Sequence, residues 1–230
     1  MAMFELFDQD EFNDFILENK VIGFYDEPVT LKSGRTSHWY VNWRKPSEDV
    51  VLIDELSDYV TNFIDHHDLK PHTIYGVPEG ATKLALIAQY NWAVAQRCKV
   101  GEYVLSMGRG KPKDHGKLED RFFLGMPKGR TVVIEDVTTT GNSLLGTIDQ
   151  LVQAKVHVVA AIGLTNRNER RDDGSTVEEA LKREGIPYVA MSNGCELLPL
   201  AAKKYKPVAY ILKGIEREFE QYGEAPLQLR

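Results

Sequence analysis

The chain has little cysteine, no long apolar run and no excess of positive charge. Its only cysteines, Cys98 and Cys195, lie far apart in sequence. Two such residues make no disulfide framework and suit a reducing compartment, so the expected location is the cytoplasm. No stretch approaches the roughly 18 apolar residues of a membrane span. The N-terminal MAMFELFDQDEF is acidic and broken by charge, unlike a signal peptide. The formal net charge is −6, which argues against bulk nucleic-acid binding, because that needs a basic face. No GxxxxGK occurs, which excludes a P-loop for nucleoside triphosphates. No repeat, low-complexity tract or convincing linker is visible. Against these absences, 43% of the 230 residues are hydrophobic, enough for the core of a single large domain.

Apolar periodicity alternates between strand and helix. Residues 3–19, with Phe4, Phe7, Phe12, Phe15 and Ile16, form an amphipathic helix. EPVTLKSGRTSHWYVNWRKP reads as two short strands around a Ser-Gly-Arg turn. A helix is expected from Val50 to about Phe63, a strand at HTIYGV and a helix at GATKLALIAQY. EYVLSM and RTVVIE follow as strands, Gly141 to Ala154 as a helix and VHVVAAIGL as a buried strand. STVEEALKREG is a helix with Ser175 as N-cap, Glu178 closing a capping box and Gly185 as its stop. PYVAMS is the last strand, and the remainder is mostly helical. Such alternation means α/β with a mainly parallel sheet.

Two segments carry chemistry. In TVVIEDVTTTGNSLLGTID, a strand runs into Glu135 and Asp136, then into Thr138, Thr139, Thr140, Gly141, Asn142 and Ser143, then into a helix. Ligands of open α/β sheets bind beyond the carboxyl ends of strands. A helix N-terminus there offers unpaired N–H groups and a positive dipole end, a phosphate site. Carboxylates repel phosphate, so Glu135 and Asp136 suit sugar hydroxyls beside it; together these ask for a ribose 5-phosphate. The second segment, MGRGKPKDHGKLEDRFFLG, has no apolar period before Phe122 and holds Arg109, Lys111, Lys113, His115 and Lys117. It reads as a mobile connection, and as a basic lid if the ligand is anionic.

VVIEDVTTTGNS resembles the phosphoribosyl-pyrophosphate (PRPP) signature of type I phosphoribosyltransferases. LKSGRTSHWYVN (31–42), RGKPKDHG (109–116), YGVPEGATKLA (75–85) and LTNRNE (164–169) are similar to elements of the orotate phosphoribosyltransferases. The resemblance implies a type I phosphoribosyltransferase-like fold over residues 1–230. That fold has a mainly parallel sheet flanked by helices and a core at about 50–195. A hood is implied from residues 1–45 plus C-terminal segments, together with a mobile catalytic loop. It implies that Lys32 reaches the PRPP or pyrophosphate end, and that Tyr40 and Val41 wall the pyrimidine. Arg109, Lys111, Lys113 and His115 close over pyrophosphate. Glu135 and Asp136 hold the ribose, Thr138 to Ser143 cradle the 5-phosphate with Thr139 near the base, and Arg167 pairs with the orotate carboxylate. Mg²⁺ travels with PRPP without a direct protein ligand, and the loop serves the neighbouring subunit of a homodimer.

The chain departs from that pattern at Gly110, where lysine is usual, and at His38, Glu79, Gly80 and Asn166. Two other readings stay open. One is a phosphoribosyltransferase for another base, such as a purine. The other is a PRPP-sensing regulator without turnover, although neither a helix-turn-helix segment nor a basic stripe is present. His66, His67 and His72 lack regular metal-ligand spacing and read as a solvated helix end.

Overall fold

A computed structural model describes residues 6–111 and 113–229. Phe4, at the start of the first expected helix, and Pro112 of the basic loop lie outside them. The chain runs α1 (Gln9–Glu18), β1 (Ile22–Thr30), β2 (Thr36–Val41), α2 (Val50–His66), β3 (Thr73–Gly76) and α3 (Thr82–Ala95). Then come β4 (Met107–Gly108), α4 (Leu118–Phe122), β5 (Phe123–Leu124), β6 (Arg130–Thr138), α5 (Asn142–Gln153) and β7 (His157–Asn166). α6 (Val177–Arg183), β8 (Tyr188–Ala190), α7 (Gly194–Tyr205) and α8 (Ala209–Tyr222) complete it. The central sheet has the order β3-β6-β7-β8, and each of its three pairings is parallel.

Side chains of a strand alternate between faces, and helices cover both faces of this sheet. Val132 and Ile134 of β6 share one cluster with Leu56 and Val60 of α2, Leu84 and Ala88 of α3 and Ile215 of α8. Val133, between them, joins the opposite cluster with Leu144, Ile148 and Leu151 of α5 and Leu181 of α6. Each fully buried aliphatic side chain of this kind is worth about 1.5–3 kcal/mol. β1 and β2 form a separate antiparallel hairpin joined by the turn at Gly34. It packs on α8, and Ser37 Oγ and the His38 N–H both donate to Glu218.

Three local expectations change. EYVLSM is not a strand until Met107. Its backbone is satisfied by a side chain instead. The Ser106 N–H donates to Gln89 Oε1 at 2.7 Å, and Ser106 O accepts from Gln89 Nε2 at 2.9 Å. The cap of α6 is Thr176, not Ser175, and its capping-box partner is Glu179, not Glu178. Ser175 is held by Asp173 one turn earlier, its hydroxyl donating at 2.6 Å. α1 starts at Gln9 because Asp8 accepts the N–H groups of Asp10 and Glu11.

Candidate active site

The carboxyl ends of β3, β6 and β7 meet in a cavity of about 480 Å³, continuous in its lining with a smaller one of about 150 Å³. Lys32, Glu135, Val137, Thr139 and Ser143 line both. The smaller one is closed by Thr139 to Ser143 on one side and by Lys32 and Ser33 on the other. Gly141 sits at the N-cap of α5 with φ +69° and no side-chain cap, so the first N–H groups of the helix stay unclaimed by a cap. Its left-handed backbone favours glycine, and a Cβ there would stand 2.9 Å from Val177 Cγ1. The Lys32 ammonium donates to Ser143 Oγ at 2.9 Å, bringing a cation from the hairpin to the N-terminus of α5. This arrangement suits an anion by charge and by donor count.

Glu135 is 6% exposed, whereas Asp136 is half-buried. Burial pushes the Glu135 carboxyl up to about 9; the Asp136 charge and the hydrogen bond between the two carboxyls push the same way, and Lys32 opposes them. Near neutral pH Glu135 therefore keeps its proton. Gly80 makes room for Asp136, since a Cβ there would lie 2.2 Å from Asp136 Oδ2.

Thr138 is a correction. Its hydroxyl lies 2.5 Å from the Tyr188 hydroxyl, its carbonyl accepts the Arg167 N–H, and it is 1% exposed. Its side chain braces β6 against β8 beneath the cradle and does not line it. Its contact with Tyr188 holds it in the core.

Tyr40 and Val41 line the larger cavity with Leu31 and Arg44. Arg44 is exposed, and among the described residues its guanidinium has no hydrogen-bond or ion-pair partner. No motif in the sequence singles it out; its position three residues beyond Val41 is the only signal. Arg167 also lines this cavity but is 1% exposed. Nε donates to Glu169 at 2.7 Å, Nη2 to Ser37 Oγ at 2.9 Å and Nη1 to Trp39 O at 3.3 Å. The guanidinium lies 3.7 Å from the Trp39 ring centroid. Of the five N–H donors of an arginine, three are engaged in this way. The other carboxylate oxygen of Glu169 binds Arg35 at 3.0 Å, so Glu169 bridges the two arginines.

The basic segment forms a hairpin closed by β4 and β5. Only Gly110 from it lines the cavity. Arg109 turns to Asp120 O, donating from Nε at 3.2 Å, and Lys111, Lys113 and His115 are exposed. Gly110 abuts Glu79, whose Oε1 would be 2.5 Å from a Cβ at 110. The sequence-predicted residues thus separate. The cradle, ribose and base-wall positions other than Thr138 converge, and the four loop cations stand outside. His72 Nδ1 accepts the Arg130 N–H at 3.2 Å, apart from the edge-to-face pair His66 and His67 at the end of α2.

A sheet of this order, with an acid-acid, hydroxyl-rich turn onto a helix N-terminus, defines a phosphoribosyltransferase of type I. No protein-family profile matches the chain. An orotate phosphoribosyltransferase of Rhodopseudomonas palustris strain TIE-1 is 32% identical over 182 residues, which cover 74% of this chain and 87% of that protein. The crystal structure of the orotate phosphoribosyltransferase of Francisella tularensis superposes with a TM-score of 0.67 at 20% identity, covering 93% of this chain and 99% of that one. The UMP synthase of Leishmania donovani superposes at 0.70 with 21% identity, covering 92% of this chain and 42% of that one. These structural likenesses concern the fold; the sequence relationship carries more. The chain belongs to the orotate phosphoribosyltransferase family.

Proposed function

We propose that the chain transfers the 5-phosphoribosyl group from PRPP to orotate, giving orotidine 5′-monophosphate and pyrophosphate in cytoplasmic pyrimidine (UMP) synthesis. One observation carries this reading: a carboxylate pair, an uncapped helix N-terminus and Lys32 meet at one end of a cavity whose other end holds Tyr40, Val41 and two guanidiniums. The 5-phosphate takes the donors of Thr139 to Ser143 and the Lys32 ammonium. The ribose hydroxyls lie against Glu135 and Asp136. The pyrimidine packs between Tyr40 and Val41, with Thr139 beside it, and its carboxylate faces Arg167, whose planar fork matches it.

In the reaction the C1–pyrophosphate bond breaks and N1 of the base bonds to C1, while its proton leaves to solvent. Positive charge develops on the ribose ring and negative charge on the leaving group. Glu135 and Asp136 stand where the ring becomes cationic. Arg109, Lys111, Lys113 and His115 stabilise the leaving group once the loop closes and excludes water. Among the described residues no cluster of three or more His, Cys, Asp or Glu forms a metal cage. Mg²⁺ would arrive held by the diphosphate and the sugar hydroxyls, without a direct protein ligand, and would supply charge neutralisation of the leaving group. The chain acts as a single domain in which the β1–β2 hairpin and α8 form the hood. It works as a homodimer whose loops serve the partner's site.

The test is consumption of orotate, adenine, hypoxanthine, xanthine and uracil with PRPP and Mg²⁺. Orotate alone is expected to turn over. Turnover of a purine but not orotate overturns the base assignment, and PRPP binding without any turnover indicates a sensor.

A further inference from the structure

We infer that Glu218, on the C-terminal helix α8, is a positioning residue that sets orotate affinity through Arg167 without touching the base. The inference rests on the reading of the Tyr40–Arg167 cavity as the base site. Glu218 Oε1 accepts the His38 backbone N–H at 2.7 Å, and Oε2 accepts the Ser37 hydroxyl at 2.7 Å. The Ser37 hydroxyl has one proton within reach of both Glu218 Oε2 and Trp39 O, the latter at 2.8 Å, and a carboxylate is the stronger acceptor; the oxygen itself accepts Arg167 Nη2 at 2.9 Å. Glu218 Oε2 is itself 3.9 Å from that nitrogen. The carboxylate thereby fixes both the strand that walls the base and the orientation of the guanidinium.

The two neighbouring supports come from the same helix. Phe219 stacks on Trp39, centroids 6.4 Å apart and planes 25° from parallel, and Trp39 carries the Arg167 guanidinium on its ring. Tyr222 lies 4.4 Å from the Arg35 guanidinium, and Arg35 shares Glu169 with Arg167. Residues 218, 219 and 222 therefore face inward from one side of α8 and reach Arg167 by an ionic, an aromatic and a charge-relayed route. In sequence Glu218 looks like one more acid in EREFEQ; only its burial against Ser37 and His38 separates it from the solvated ones.

The experiment compares Glu218→Ala, Glu218→Gln and wild type in steady-state assays with each substrate varied. Glu218→Ala is expected to raise KM for orotate about 10-fold, as loss of an orienting partner does. KM for PRPP should change less than about 2-fold, because the cradle on α5 is independent of α8. Glu218→Gln keeps the shape, the acceptor for His38 and a polar contact for Ser37, and should stay within about 3-fold of wild type. If the alanine variant does not fold, Phe219→Leu carries the same expectation for orotate against PRPP. An unchanged orotate KM, equal rises for both substrates, or a glutamine variant as impaired as alanine overturns the inference. Failure of the activity reading would show in the wild type itself, so the two failures are distinct.

Discussion

The turn at residues 135–143 and the hairpin loop at 109–121 carry opposite charges and are held in opposite ways. The turn is built into the sheet. Glu135 pairs with Gly163 in β6–β7, Thr138 is pinned to Tyr188, and Gly141 is wedged against Val177. Its groups are in place before any ligand arrives. The loop has a closing ladder of two residue pairs, at Met107–Leu124 and Gly108–Phe123, and exposed cations beyond it. A site that must hold a ribose phosphate needs preorganised donors, whereas a leaving group that must be enclosed and then released needs cations that come and go. In the proposed reaction, binding therefore belongs to the turn and conversion to the loop.

Damage to the turn has the largest expected effect. Asp136→Asn removes the ribose-facing charge and leaves Glu135 without its partner. By analogy with loss of one charge-bearing contact, about 2.7–4 kcal/mol, kcat/KM for PRPP should fall about 100- to 1000-fold, most of it as a raised KM. A loss below 10-fold would place the ribose elsewhere.

The two regions can also be set against each other across a dimer. One inactive variant lacks Arg109 and Lys113 in the loop; the other carries Asp136→Asn in the turn. If the loop serves the partner's site, a mixed dimer has one intact site and one doubly damaged site. Random reassembly of equal amounts should restore about a quarter of wild-type activity, by counting on a two-fold dimer. Activity that stays near zero after demonstrated subunit exchange assigns the loop to its own site.

A smaller effect concerns Glu135. The unfolded chain ionises it near the usual 4.5 and the folded chain near 9. Between those values folding takes up a proton, so stability contributed by the protonated form is full below about 4.5 and declines as pH rises toward about 9. Glu135→Gln has no such proton. Its Tm advantage over wild type should widen between about pH 5 and about pH 8, by about 2–4 °C per kcal/mol gained. A constant difference would mean that Glu135 is already ionised in the fold.

The parallel sheet and the turn onto α5 were legible because each rests on local order: apolar runs, acids at a strand end, a glycine before a helix. The misreadings have equally local causes. EYVLSM has a strand's composition, yet Gln89, seventeen residues earlier at its Ser106 contact, satisfies its backbone. Ser175 is as good a cap as Thr176 on sequence, and the contact with Asp173 decides between them. Thr138 belongs to the hydroxyl-rich motif by position but to the core by its contact with Tyr188. The Glu218–Ser37–Arg167 relay was invisible because it depends on the β1–β2 hairpin meeting α8, a contact about 180 residues apart in the chain.

The division of labour is tested most directly by measuring PRPP affinity and turnover on the same loop variant, Arg109→Ala with Lys113→Ala, in the presence of Mg²⁺. Calorimetry should give a PRPP Kd within about 3-fold of wild type, because the α5 cradle and Lys32 are untouched, while kcat with orotate falls by at least about 100-fold. A Kd that weakens in step with kcat would show that the loop binds the ground state, and would contradict the assignment of binding to the turn and conversion to the loop.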